Sequence, residues 1–177
     1  GIWELLEAYG DLRRRRPDLA LVILGSGPEL EPLRRAVSER GLAEVSLPGF
    51  VSDAEKAQAL LDGDIFVFPT YHGEGCPASL LEAMAAGLPC ITTAVGGIPD
   101  IFREGENGVM LREVTPASIT AAIEALLSDP AGRAAIGARN RRVAWERYEA
   151  RAVSARIAEI YRLVGGRAAG VEPGNRS

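Results

Sequence analysis

At 177 residues, 47 % of them hydrophobic and 25 % charged, the chain suits one domain with a full core and excludes global disorder. A net charge of −4 without a dense basic stripe argues against a nucleic-acid partner, and no apolar run approaches the ~20 residues of a membrane span. The two cysteines, Cys76 and Cys90, have neither metal nor disulfide spacing and suit a reducing, cytosolic setting.

The chain opens at Gly1 directly into a helical pattern, Ile2, Leu5, Leu6, Tyr9 and Leu12, and is read as a piece of a longer protein. Arg13 to Arg16 read as the solvated last turn of that helix, where cations complement the dipole. Residues 19–24 are continuously apolar, as expected of a strand buried on both faces of a parallel sheet, and end in Gly25-Ser26-Gly27-Pro28. A helix is expected over 29–40, closed by Gly41, then a short strand over 45–47. Gly49-Phe50-Val51 leads into a helix over 53–61, and 65–68 is a buried strand stopped by Pro69. A helix in the segment 73–89, a strand over 90–93, the turn Gly96-Gly97-Ile98-Pro99 and a short strand over 109–111 follow. Three helices are expected over 116–127, 131–147 and 150–163, and the Gly-, Pro- and Asn-containing tail 165–177 reads as disordered. Repeated alternation of strand and helix implies an α/β fold with a Rossmann-like, doubly wound parallel sheet. Gly25, Gly49, Pro69 and Val95 each follow a strand, so their loops gather on the rim where such sheets bind ligands.

The segment Gly73 to Pro89 carries the chemistry. It places Glu74 and Glu82 eight residues apart around the start of a helix. Pro77 reads as the first helical residue, and Gly87 followed by Pro89 as the stop. The N–H groups of Ala78, Ser79 and Leu80 would then be unpaired at the positive end of the helix dipole, which makes an anion site. Helical side chains lean toward the N-terminus, so Glu82 can reach back to the same place. Amides that accept phosphate, beside carboxylates that accept hydroxyls, suit a sugar attached to a diphosphate.

Residues 68–111 resemble the C-terminal half-domain of GT-B glycosyltransferases, in the large retaining family numbered four, also called glycosyl transferases group 1. The matching text is the Glu-(seven residues)-Glu block from Glu74 to Glu82, Leu-Glu-Ala-Met-Ala-Ala-Gly-Leu-Pro, Val-Gly-Gly-Ile-Pro-Asp and Glu-Asn-Gly. Weaker agreement extends over nearly the whole chain. The resemblance implies a nucleotide-sugar-binding domain over 1–164, with Glu82 accepting from the ribose hydroxyls and Glu74 beside the donor sugar as the catalytic residue. It implies that Gly75, Cys76, Pro77, Ala78 and Ser79 offer backbone to the sugar and diphosphate. Val51, Asp53 and Lys56 are implied to form the base-contacting loop, and Gly96 and Gly97 to line the pocket. It implies no cofactor beyond the nucleotide-diphosphate sugar and no metal. The acceptor, a lipid, polysaccharide or small metabolite, and any peripheral attachment at the inner membrane face would be handled by an N-terminal half-domain. The Arg and Lys that grip the diphosphate in this family would precede Gly1, as would the first strand of the sheet. Without that strand the sheet is expected to be interrupted at its centre with apolar edges exposed, and the piece to be unstable and inactive alone or one part of a longer protein.

Pro77 departs from the glycine that many members carry there, and removes a backbone donor. Asp53 and Lys56 read equally as a helix cap and a surface charge. His72, the lone histidine, reads as an ordinary loop residue, Cys90 as a small buried hydrophobe, and Trp145 with Tyr148 as packing at a helix junction. A non-catalytic nucleotide-binding module is the alternative. A nicotinamide oxidoreductase is disfavoured because the third glycine of the fingerprint is Leu30.

Overall fold

The computed structural model describes residues 1–73 and 75–168, so Glu74 and most of the expected disordered tail lie outside the described residues. Helix α1 (Ile2–Arg15) is followed by β1 (Leu21–Leu24), α2 (Leu30–Glu39), β2 (Val45–Gly49), α3 (Asp53–Asp62), β3 (Phe66–Phe68) and α4 (Ala78–Ala86). Then come β4 (Cys90–Thr93), α5 (Ile98–Ile101), β5 (Gly108–Leu111), α6 (Pro116–Ser128), α7 (Pro130–Arg147) and α8 (Ala150–Ala168). Two expectations are corrected. The turn at Gly96 to Pro99 is the entry to a short helix, with Pro99 in its first turn where no N–H is required. Residues 165–168 continue α8 and are not tail.

The strands form two parallel sheets, of order β1-β2 and β3-β4-β5. Leu21 of β1 packs in the same apolar cluster as Val67 of β3, so the two sheets lie side by side with the interruption between them. The interruption explains a second correction. Residues 19–24 are not buried on both faces: Val22 is 52 % exposed, because β1 pairs only with β2 among the described residues. The continuous apolar run meant for a sheet interior therefore stands at an edge.

The three-stranded sheet is covered on both faces. Leu80 and Met84 of α4, Ile98 of α5 and Ala144 of α7 pack on one side. Leu5 and Ala8 of α1 with Ile119 and Leu126 of α6 pack on the other. Each fully buried Leu, Ile or Met contributes about 1.5–3 kcal/mol of transfer free energy, and all four residues of β4 are buried. Helix α1 starts against Pro69, at the carboxyl end of β3. Its basic last turn is thus at the far end from the rim. Arg14 pairs there with Asp11 at 2.6 Å, Arg15 with Glu124 at 2.5 Å and Arg16 with Asp18 at 3.3 Å.

Helix α4 ends as its sequence implies. Gly87 takes φ 88°, its N–H donates to Met84 O at 3.0 Å, and the Leu88 N–H donates to Ala83 O at 3.0 Å. These two bonds define a Schellman cap, which needs the left-handed residue that glycine supplies. Helix α7 lies on this cap. A Cβ at Gly137 would stand 2.2 Å from Gly87 O. Gly137→Ala is therefore expected to lower stability by about 1–3 kcal/mol, the range for overpacking a close contact. An unchanged urea midpoint would show that the two helices do not meet at this point.

Candidate functional site

The start of α4 is organised differently from the expectation. Pro77 is the N-cap, with φ −69° and ψ 113°, and helical dihedrals begin at Ala78. Its carbonyl accepts from the N–H groups of Leu80 at 3.1 Å and Leu81 at 3.4 Å. The Leu80 N–H is consequently not available to a ligand. Among the described residues the amides of Ala78 and Ser79 keep no partner and no side chain caps the helix. Two donors, not three, remain at the positive end of the dipole. Gly75 and Cys76 lead into them as exposed loop, and the Cys76 thiol is free. Glu74, the expected catalytic residue, lies outside the described residues.

Helix α3 brings the second part of the site. Ser52 is its N-cap: Ser52 Oγ accepts from the Glu55 N–H at 3.3 Å, and Glu55 Oε2 accepts from the Ser52 N–H at 2.8 Å. This capping box fixes the turn after the half-buried Val51 and corrects the reading of Asp53 as the cap. Asp53 is free to face Lys56, whose Nζ stands 3.4 Å from Asp53 Oδ1. The same ammonium donates to Glu82 Oε1 at 2.9 Å. Lys56 is thus no isolated surface charge. The hydrogen bond to Glu82 raises its pKa above the usual lysine value, and the Asp53 carboxylate adds to the rise. Three expected site residues, Asp53, Lys56 and Glu82, are brought together across two helices that are 26 residues apart in sequence at the Lys56–Glu82 pair.

Glu82 and Lys56 open onto a groove between α3, α4 and α7 that is also lined by Arg141 and Trp145. Trp145 is 60 % exposed and is not junction packing as expected. Arg141 donates to the carbonyls of Ala85 and Ala86, both at 3.3 Å, and so satisfies the open end of α4 from below. Sequence reading also passed over Phe50, which is almost fully exposed beside Val51. A large aromatic between Gly49 and Val51, at the mouth of a ligand rim, was the available signal.

Gly96 takes φ 56° and Gly97 caps α5, so both shape the loop after β4. His72 donates its backbone N–H to Thr70 Oγ1 at 3.1 Å and behaves as a loop residue. Burial raises the Cys90 thiol pKa far above its ordinary value, which leaves it inert. One Asp-x-Asp spacing, Asp62-Gly63-Asp64, is present between α3 and β3. It lies at the opposite end of the sheet from the ligand rim, where Asp62 accepts from Gln58 at 2.9 Å and Asp64 stands 3.6 Å from Arg133. Among the described residues no group of three or more His, Cys, Asp or Glu could hold a metal ion, and no helix is long and apolar enough to cross a membrane.

The comparisons with known proteins agree with this architecture. The chain is 36 % identical over 164 residues to the GDP-mannose-dependent alpha-(1-6)-phosphatidylinositol monomannoside mannosyltransferase of Mycolicibacterium smegmatis. That match covers 88 % of the chain and 43 % of the relative, so the chain spans less than half of its length. Among solved structures, it resembles the C-terminal domain of a glycosyl transferase group 1 family protein from Francisella tularensis. The TM-score is 0.73 at 27 % identity, covering 85 % of this chain and 80 % of that one. HepE of Anabaena, solved in complex with UDP-glucose, shares the fold at TM-score 0.77 and 21 % identity, over 92 % of this chain and 46 % of that one. The family described as Glycosyl transferases group 1 matches residues 1–143. The two-faced sheet, the open start of α4 and these matches together place the chain in the glycosyl transferases group 1 family, as a GT-B half-domain.

Proposed function

We propose that this chain is the donor-binding half of a retaining glycosyltransferase that moves a sugar from a nucleotide-diphosphate sugar to an acceptor. The observation that carries the reading is the junction of α3 and α4. Lys56 holds the Glu82 carboxylate at 2.9 Å, beside the loop of Val51 and on the same helix whose first amides remain open. A carboxylate has about four acceptor positions, so one bond to Lys56 leaves room for two ribose hydroxyls. The base lies along Val51 and Asp53, with the exposed Phe50 ring at hand, and the diphosphate sits against the Ala78 and Ser79 amides. As the bond from the anomeric carbon to the diphosphate breaks, its electron pair leaves with the phosphate oxygen. The amides then oppose the developing charge without reorganising. The acceptor oxygen bonds to the anomeric carbon, and nucleoside diphosphate and a proton are released. Glu74 stands beside the sugar in this reading, and the resemblance of the Glu74–Glu82 block supports that role. The N-terminal half-domain supplies the remaining acceptor contacts. The relatives' named activities and the UDP-glucose in HepE support a nucleotide-sugar as the donor.

Glu82→Ala is expected to weaken nucleotide-sugar binding by about 1.5–3 kcal/mol, the scale of hydrogen bonds to a charged group. Isothermal calorimetry with UDP- and GDP-sugars measures it. Equal affinity in the wild type and the variant would remove Glu82 from the site.

A further inference from the structure

Helix α8 stands away from the body of the domain. Ala152 is half-buried at its root, but every residue from Val153 to Val164 is exposed. Within that stretch Val153, Ile157, Ile160 and Val164 recur at spacings of four, three and four, and so form one stripe along the helix. Ile157 is 47 % exposed, Ile160 52 % and Val164 63 %. A lone exposed aliphatic residue is ordinary, but a continuous row of them marks a face that meets a partner.

The residues beside the stripe narrow the partner. A four-three-four row of β-branched side chains is the a/d repeat by which helices set knobs into each other's holes. With Ile157 at a and Ile160 at d, Arg156 stands at g and Tyr161 at e. Between parallel helices the g residue of one lies beside the following e residue of the next. Arg156 of one copy thus meets Tyr161 of its neighbour, a cation on an aromatic ring. Arg151, Glu159 and Arg162 fall at b, c and f, outside the seam, so no like charges are pressed together. Arg156 has no ion pair of its own to give up among the described residues. The helix is therefore complementary to itself.

We infer that α8 is a self-association element: copies of this chain join through parallel α8 helices, with Val153, Ile157, Ile160 and Val164 as the seam and Arg156 against Tyr161 at its border. Nothing in this pairing depends on how a donor binds. In sedimentation equilibrium the 177-residue chain is expected to pass from monomer to an associated species across the micromolar range. Ile157→Asp sets a carboxylate in the seam and should weaken association at least about thirtyfold, the scale of a buried anchor, while circular dichroism keeps its helix content. Arg156→Ala should weaken it a few-fold, the scale of an exposed cation on a ring. A disulfide reads the register. Cys76 is exposed and Cys90 is buried, so Val164→Cys is placed in a Cys76→Ser background. Parallel helices bring the two substituted positions together and oxidation links them, whereas antiparallel helices set them about 17 Å apart.

A chain that stays monomeric throughout overturns the inference and leaves the stripe to the N-terminal half-domain. Association that survives Ile157→Asp but is lost in Val22→Lys belongs to the exposed edge of β1 and overturns it as well. Association without the link at Val164 overturns the parallel arrangement. Flotation of a monomeric chain with vesicles of phosphatidylglycerol and phosphatidylcholine, without association in their absence, assigns the stripe to a lipid surface instead.

Discussion

Alanine at Gly108 is expected to cost about 4 kcal/mol or more, a loss that belongs to a specific mechanism when it occurs, and to leave little folded chain in soluble extracts. Gly108 opens β5 at φ 140°, a conformation for glycine, with its Cα in register with Cys90 of β4. An added Cβ would stand 1.9 Å from Cys90 O and 2.7 Å from Cys90 N. Both are backbone atoms of a fully buried strand, so neither can rotate away. Strain at the dihedral accounts for about 1–3 kcal/mol, and the remainder comes from parting β4 and β5. Domains of this kind have only about 5–15 kcal/mol in total. Gly105→Ala is the control: its φ is 74°, but a Cβ there meets nothing within 4 Å. It should cost about 1–2 kcal/mol, the left-handed penalty alone. Urea unfolding followed by circular dichroism compares the two. Equal midpoints would show that the clash with Cys90 does not decide the matter.

Asn140→Ala should lower stability by about 3–5 kcal/mol, summing two lost hydrogen bonds, one orphaned donor and a small cavity. Asn140 is fully buried in the middle of α7. Its Nδ2 donates to Leu88 O at 2.7 Å and to Asn107 O at 2.9 Å, and its Oδ1 accepts from Asn107 Nδ2 at 2.7 Å. Asn107 Oδ1 in turn accepts from the Arg103 N–H at 2.8 Å. One side chain thus ties α7 to the turn before β5 and to the residue after the α4 cap. The two carbonyls keep second donors, from Cys90 Sγ and the Cys90 N–H, but Asn107 Nδ2 would be left without an acceptor. Asn140→Asp keeps the acceptor and loses both donors while burying a carboxylate. At neutral pH it should be destabilised at least as much as the alanine variant. An aspartate variant near wild-type stability would mean that the amide donors of Asn140 are dispensable. Because α7 supports α4 at Gly87 and through Arg141, partial loosening here should also weaken nucleotide-sugar binding in whatever folded protein remains.

The Glu-Asn-Gly text at 106–108 shows how a motif can be legible before its reason is. The sequence marks a turn there. The structure shows that Asn107 is a buried hydrogen-bond hub and that Gly108 is a steric requirement of the β4–β5 register. The start of α4 went the other way. Proline before a helix was read as its first residue, but its carbonyl closes the first turn onto Leu80 and Leu81. That choice rests on ψ of Pro77, which is 113° and which the pyrrolidine ring does not constrain. The break in the sheet and the exposed apolar edges beside it were both anticipated, and Val22 is one such edge; the apolar run alone could not show it, because it carries no record of how many neighbours its strand finds.

Composition, hydrophobic period and cap residues alone determined that strands and helices alternate, where α4 stops, and that its start faces the ligand rim. These are consequences of bonds within a few residues of one another, and the amino-acid order contains them. Only the tertiary structure decided that Lys56 of α3 grips Glu82 of α4, that Ser52 and not Asp53 caps α3, and that Trp145 stands open to solvent beside them. It also decided that Thr93 at the end of β4, Glu104 before β5 and Arg112 after it line one cavity. The reason is common to all of these. A contact between side chains on different elements depends on the crossing of helices and the order of strands, which packing sets and local spacing does not encode.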